Sequence, residues 1–160
     1  MQTVKIICVG KLKDKFFYDA SDEYLKRLKA YCKTEIIEIP AAKTFENNSA
    51  ALTEKALDEE GKKIISKINP SENAAALCIE GKNYSSEEFA GLIKDFSAKK
   101  NGDIAFIIGG SYGLSDEVKN RADVKISMSK MTFPHRLARI MLLEQIYRAY
   151  NINANGKYHK

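Results

Sequence analysis

The stretch Ser127-Met128-Ser129-Lys130-Met131-Thr132-Phe133-Pro134-His135-Arg136 gathers hydroxyls, cations and an imidazole within ten residues. Pro134 suits the first turn of a following helix, where a missing N–H costs nothing, with Thr132 or Phe133 as the expected N-cap. Small hydroxyls and free backbone N–H groups at a helix start suit an anionic or carbonyl-bearing ligand. A second loop, Ile108-Gly109-Gly110-Ser111-Tyr112-Gly113, follows an apolar run just upstream. Two such loops can hold one cofactor between them. The competing reading of Gly109-Gly110 is a tight turn that needs positive φ.

Other chemistries find little support. Gly109, Gly110 and Gly113 do not match Gly-x-Gly-x-x-Gly, and their loop comes late in the chain, which argues against a dinucleotide fold; a Walker loop is absent too. His135 and His159 are the only histidines and have no Cys or His partner at ligand spacing, so no metal is expected. Cys8, Cys32 and Cys78 are far apart, odd in number and set in or beside apolar runs. They read as reduced, mostly buried thiols, and no serine or cysteine carries the signature of a nucleophile.

Charge is concentrated at one end. Residues 129–160 contain Lys130, Arg136, Arg139, Arg148, Lys157 and Lys160 against the single acid Glu144, which equals the whole chain's formal excess of +5. Such a face suits a polyanion, most often RNA or DNA, with Arg136, Arg139, Lys157 and Lys160 as candidate phosphate contacts. A lysine-rich solubility surface is the alternative. The tail Asn155-Gly156-Lys157-Tyr158-His159-Lys160 would ordinarily be read as fraying. Tyr158 and His159 fit fraying poorly, because one can stack on a base and the other can exchange a proton.

The elements that must position these residues alternate. Thr3–Val9, 35–39, 74–79, 103–108 and 124–126 read as strands, with Pro40 stopping the second and Glu80-Gly81-Lys82 the third. Helices are expected over 16–31, 50–68, from Ser85 or Ser86 to 98, over 115–121 and over 137–150, the second preceded by the polar loop Asn47-Asn48-Ser49. This alternation predicts one α/β domain over residues 1–160, a mainly parallel sheet with helices on both faces, and ligands at the carboxyl ends of the strands. Leu137, Ile140, Met141, Leu142, Leu143, Ile146, Tyr147 and Tyr150 wrap nearly the whole last helix. Burial on all sides requires a second subunit or a wholly internal helix. No stretch approaches the length of a membrane span or the pattern of a signal peptide, so a cytoplasmic protein is expected.

With these residues in hand, the chain closely resembles the RlmH family of SPOUT-class methyltransferases, which methylate N3 of a pseudouridine in large-subunit ribosomal RNA. The resemblance runs end to end. It is carried by Val9-Gly10-Lys11-Leu12-Lys13, Phe106-Ile107-Ile108-Gly109-Gly110-Ser111, Ser129-Lys130-Met131-Thr132-Phe133-Pro134-His135, Glu144-Gln145-Ile146-Tyr147-Arg148-Ala149 and Tyr158-His159-Lys160. It implies a homodimer with a C-terminal trefoil knot, acting on 23S rRNA within the assembled ribosome. It also implies S-adenosyl-L-methionine, bound around Leu77, Gly109 and the loop Met128, Ser129, Lys130, Met131, Thr132 and Phe133. Some members end in arginine where this chain has Lys160, which keeps the charge but loses the guanidinium fork.

The implied chemistry needs an in-line attack by the base nitrogen on an activated methyl group, without metal or covalent intermediate. The imide N3–H must lose its proton. A base or a positive field that stabilises the anion serves this, and His159, Tyr158 and the basic tail are the candidates, from the opposite subunit. Two other readings remain open: an RNA-binding protein without catalysis, which binds no cofactor, and a sister methyltransferase acting on transfer RNA.

Overall fold

The computed structural model describes residues 1–43 and 49–160, so Asn47 and Asn48 of the expected polar loop lie outside the described residues. The chain runs β1 (Thr3–Val9), α1 (Lys15–Leu28), β2 (Lys33–Ile39), α2 (Ala50–Ile65), β3 (Asn73–Asn83), α3 (Ser86–Ser97), β4 (Ile104–Ile108), α4 (Asp116–Arg121), β5 (Val124–Ser127) and α5 (His135–Asn153). The strands form one parallel sheet in the order β2-β1-β4-β3-β5.

Burial on both faces explains the unbroken apolar run of β4, all five of whose residues are buried. On one face α1, α3 and α5 pack Leu28, Phe89, Ile93, Phe96, Leu142 and Ile146 against Ile6 and Phe106. On the other, α2 and α4 pack Ile64 and Val118 against Ile7, Ala76 and Ile107. Helix α3 starts where its sequence says it should. The Ser85 hydroxyl accepts from Glu88 N–H, and the Glu88 carboxylate accepts from Ser85 N–H. Among the described residues, no helix is long and apolar enough to cross a membrane.

Several boundaries differ from expectation, and two of the differences shape the site. Helix α5 begins at His135 with Pro134 as N-cap, in place of Thr132 or Phe133. Proline offers no side-chain oxygen, so the first N–H groups of this helix have no side-chain cap. Strand β3 does not stop at Glu80-Gly81-Lys82 but continues to Asn83. Leu77 and Lys82 both face Ile126, so residues 78–81 are extruded as a bulge towards the carboxyl end of the sheet. Only glycine fits at position 81, where a Cβ would lie 2.5 Å from the Ile126 carbonyl carbon. Elsewhere α1 ends at Leu28 instead of Tyr31, β2 begins at Lys33 instead of Glu35, α2 ends at Ile65 instead of Ile68, and α5 runs to Asn153 instead of Tyr150.

The last helix is not buried all round within one chain. Leu142, Leu143, Ile146 and Ala149 are fully buried, whereas Ile140, Met141 and Tyr147 are half-buried and Leu137 is exposed.

Candidate active site

The ends of β3, β4 and β5 open on one cavity of about 870 Å³, the position that an open parallel sheet reserves for ligands. Among the expected cofactor residues, Leu77, Gly109, Met128, Ser129, Met131, Thr132 and Phe133 all border it. Lys130 does not; its side chain is exposed on the outside of the loop. The cavity also takes in Tyr112 and His135 of the two candidate loops, and four residues that no motif singled out: Cys78, Ile79 and Glu80 of the bulge, and Lys119. The bulge has one available signal, the glycine at 81, which in the sequence reads as a strand end. Lys119 reaches Glu80 at 2.6 Å, so, among the described residues, the only lysine bordering the cavity is neutralised by the bulge.

The two loops are held by their own atoms. At Gly109 a Cβ would overlap the carbonyl oxygen of Gly113, so the close approach of those two backbones is what demands glycine. Positive φ belongs to Gly113 (φ 80°), not to the Gly109-Gly110 pair as the tight-turn reading expected. In the later loop Ser127 Oγ donates to Ser129 C=O at 3.0 Å, and Ser129 Oγ accepts from Met131 N–H at 3.0 Å. The hydroxyls thus shape the loop. Among the described residues, the N–H groups of Lys130, Thr132 and Phe133 have no acceptor within the chain. Unspent donors, an apolar floor of Leu77, Ile108 and Ile126, and this volume fit a nucleoside-sized ligand with a polar end.

His135 borders the cavity next to Gly10, whose φ of 88° lets the chain turn under the imidazole. Burial, then the charges of Arg136 and Arg139, push its pKa below the usual histidine value.

The basic segment is less basic than its composition. Arg139, a candidate phosphate contact, is 3% exposed; it meets Glu38 at 3.0 Å and donates to Gly10 C=O at 3.1 Å. Its guanidinium is buried between partners within the chain, which runs against the expected phosphate contact. Arg148 is likewise paired, with Glu144 at 2.5 Å. Arg136 donates to Lys11 C=O at 3.3 Å, and Lys157 and Lys160 are exposed.

The tail does not fray. Gly156 N–H donates to Asn151 C=O at 2.8 Å and Tyr158 N–H to Asn151 Oδ1 at 3.0 Å, which folds the last residues back along α5. The Tyr158 ring meets Tyr147 edge-on at 4.9 Å, carries the Arg148 guanidinium 4.6 Å above it, and donates its hydroxyl to Glu144 at 3.1 Å. Burial and then the Glu144 carboxylate push the Tyr158 phenol up to about 12. His159 stands between Arg148 at 3.2 Å and Glu87 at 2.8 Å. The imidazole in turn holds Glu87 below the usual carboxylate range. Neither Tyr158 nor His159 borders the large cavity of their own chain. A smaller cavity of about 470 Å³, which shares Ile126, Ser127 and Met128 with the first, is bordered by Glu144, the acceptor of the Tyr158 hydroxyl, but not by Tyr158 or His159 themselves.

The model of a family described as predicted SPOUT methyltransferase matches residues 1–159. Relatives named ribosomal RNA large subunit methyltransferase H share 51% identity in Clostridioides difficile (strain 630) and 52% in Clostridium novyi (strain NT), each over 98% of this chain and 99% of theirs. A probable methyltransferase from Bordetella pertussis Tohama I superposes with a TM-score of 0.59 at 16% identity, over 93% of this chain and 95% of the other. A probable methylase family protein from Haemophilus influenzae Rd KW20 gives 0.55 at 15% identity, over 98% and 70%. At such low identity these two structures speak to the fold. A matching family model, relatives of equal length at half identity, and a cavity built from strand-end loops converge: this chain belongs to the SPOUT methyltransferase family.

Proposed function

We propose that this protein transfers a methyl group from S-adenosyl-L-methionine to N3 of a pseudouridine in 23S rRNA of the assembled ribosome, as a cytoplasmic homodimer with a knotted C-terminal segment. The observation that carries the reading is the cavity bordered by Leu77, Gly109 and the Met128–Phe133 loop. The names of the relatives support ribosomal RNA as substrate.

When bound, the cofactor supplies a methyl group already activated by its sulfonium, so the chain's task is alignment. The unspent N–H groups of the Met128–Phe133 loop and the backbone around Gly109 hold it. Ile79, Tyr112 and Met131 are 81%, 55% and 76% exposed at the border of the cavity, where they exclude water once RNA covers them. Lys130, Arg136, Lys157 and Lys160 are left to contact phosphate, since Arg139 and Arg148 are spent within the chain. The half-exposed side of α5, with Leu137, Ile140 and Met141, supports a second subunit there.

The test is methylation with labelled cofactor of whole ribosomes, free 23S rRNA and transfer RNA. Label in 23S rRNA of whole ribosomes, recovered after nuclease digestion as N3-methylpseudouridine, is the expected result. Label in transfer RNA alone moves the protein to the sister activity, and absence of cofactor binding leaves an RNA-binding protein.

A further inference from the structure

The tail carries a hydrogen-bond pattern that decides between two roles for His159. Arg148 Nη1 lies 3.2 Å from His159 Nδ1, and Glu87 Oε1 lies 2.8 Å from His159 Nε2. A guanidinium has five donors and no acceptor, so Nδ1 must meet it with a lone pair. An ionised carboxylate only accepts, so Nε2 must carry the hydrogen. Both contacts select the same neutral tautomer. Arg148 is itself fixed, since its Nε and Nη2 donate to Glu144 Oε1 at 2.9 and 2.5 Å and its guanidinium covers the Tyr158 ring. The two partners of His159 are not equally firm. Arg148 has a side-chain exposure of 24%, whereas Glu87 is 64% exposed.

We propose that His159 serves methyl transfer as a hydrogen-bond donor through Nε2–H, not as a general base, and that Arg148 is the positioning residue that fixes this tautomer. The inference rests on the reading of the target as an imide nitrogen. N3 of pseudouridine is flanked by two carbonyl oxygens, and loss of its proton spreads negative charge over both. When RNA displaces Glu87, Nε2–H meets one of those oxygens and stabilises the anion. The proton of N3 passes to solvent. The freed electron pair on N3 forms the bond to the methyl carbon, and the carbon–sulfur bond breaks with its pair remaining on sulfur. No proton is taken by His159, whose acceptor nitrogen is occupied. Preorganised donors of this kind act where charge develops and need no reorganisation during the reaction.

The experiment has one structural and one kinetic arm. Long-range nitrogen–proton NMR on the uniformly labelled full chain reads the tautomer of its two imidazoles without cofactor or RNA. His159 is expected with Nε2 protonated and Nδ1 bare, and Arg148→Met is expected to abolish this single-tautomer signature. In the kinetic arm, His159→Ala should lower single-turnover methylation of ribosomes by about 100-fold, the order of one lost donor. His159→Gln offers an N–H near the Nε2 position without a basic nitrogen, and should stay within about tenfold of wild type. A protonated Nδ1 in the wild type, or a Gln variant as slow as the Ala variant at equal ribosome binding, overturns the proposal. Product analysis separates this from the parent reading, because methylation elsewhere than N3 removes the imide chemistry while leaving the tautomer as measured.

Discussion

Arg139 and Glu38 form an ion pair at 3.0 Å that ties the first turns of α5 to the end of β2, with the arginine almost wholly buried and the carboxylate 27% exposed. The second arm of the guanidinium reaches Gly10 C=O, so one side chain fixes three segments around the base of the cavity. Arg139→Ala strands the carboxylate and the carbonyl together. Because Glu38 keeps some water, the expected cost is about 2 kcal/mol, below that of a fully buried pair. Urea unfolding measures it. If Arg139 instead served RNA, the variant would keep wild-type stability and lose ribosome affinity.

Two glycines should respond oppositely to the same added methyl group. Gly91 lies inside α3, and a Cβ placed on it would meet nothing within 4 Å, so Gly91→Ala should stabilise the protein by about 0.5–1 kcal/mol. At Gly109 the methyl would overlap the Gly113 carbonyl, forcing the loop open. Gly109→Ala should lose both stability and cofactor binding. A Gly109→Ala protein with wild-type unfolding and reduced cofactor affinity would return the glycine's role to ligand contact alone.

Residues in regular elements are legible because their patterns are local. The apolar run at Ile104 and the Ser85–Glu88 pair each announce an element within a few positions, and alternation of such signals is enough for a parallel sheet between two helix layers. The cavity is legible in outline for the same reason, since loops after apolar strands must meet at one edge. Partners distant in sequence cannot be read in this way. Arg139 looks like any other surface cation until Glu38, 101 positions away, is placed beside it. The bulge at 78–81 follows from the pairing of Leu77 and Lys82 with one residue of another strand. Tyr158 and His159 stand out as odd for a fraying tail, but their anchors on Glu144, Arg148 and Glu87 depend on the turn at Asn151.

Salt dependence should separate the free cations from the spent ones. Each of Lys157→Ala, Lys160→Ala and Lys130→Ala is expected to weaken ribosome binding and to lower the slope of log affinity against log salt by about 0.7–0.9 if its ammonium contacts a phosphate. Filter binding at several salt concentrations reads both effects. Arg148→Met should leave the slope unchanged, because its charge is already neutralised by Glu144. An equal reduction of slope for Arg148→Met would mean that the ion pair opens on RNA.

His135 should make stability depend on pH below neutrality. Its folded pKa lies below the ordinary 6.5, chiefly through burial and then through Arg136 and Arg139. Between the folded value and 6.5 the unfolded chain therefore holds more protons than the folded one, so unfolding free energy rises with pH across that interval. The contribution is fully present above the unfolded value and is lost as pH falls through the folded one. Replacing the imidazole with an amide removes the linkage, so the stability difference between wild type and His135→Gln should shift against wild type as the buffer is taken from about pH 7 to about pH 5. Urea denaturation of both proteins at matched ionic strength measures the difference, and the imidazole resonance of His135 should titrate below that of a histidine peptide. Parallel stability profiles for the two proteins would show that His135 is as accessible to protons when folded as when unfolded, which its place beneath the cavity and beside two guanidinium groups does not allow.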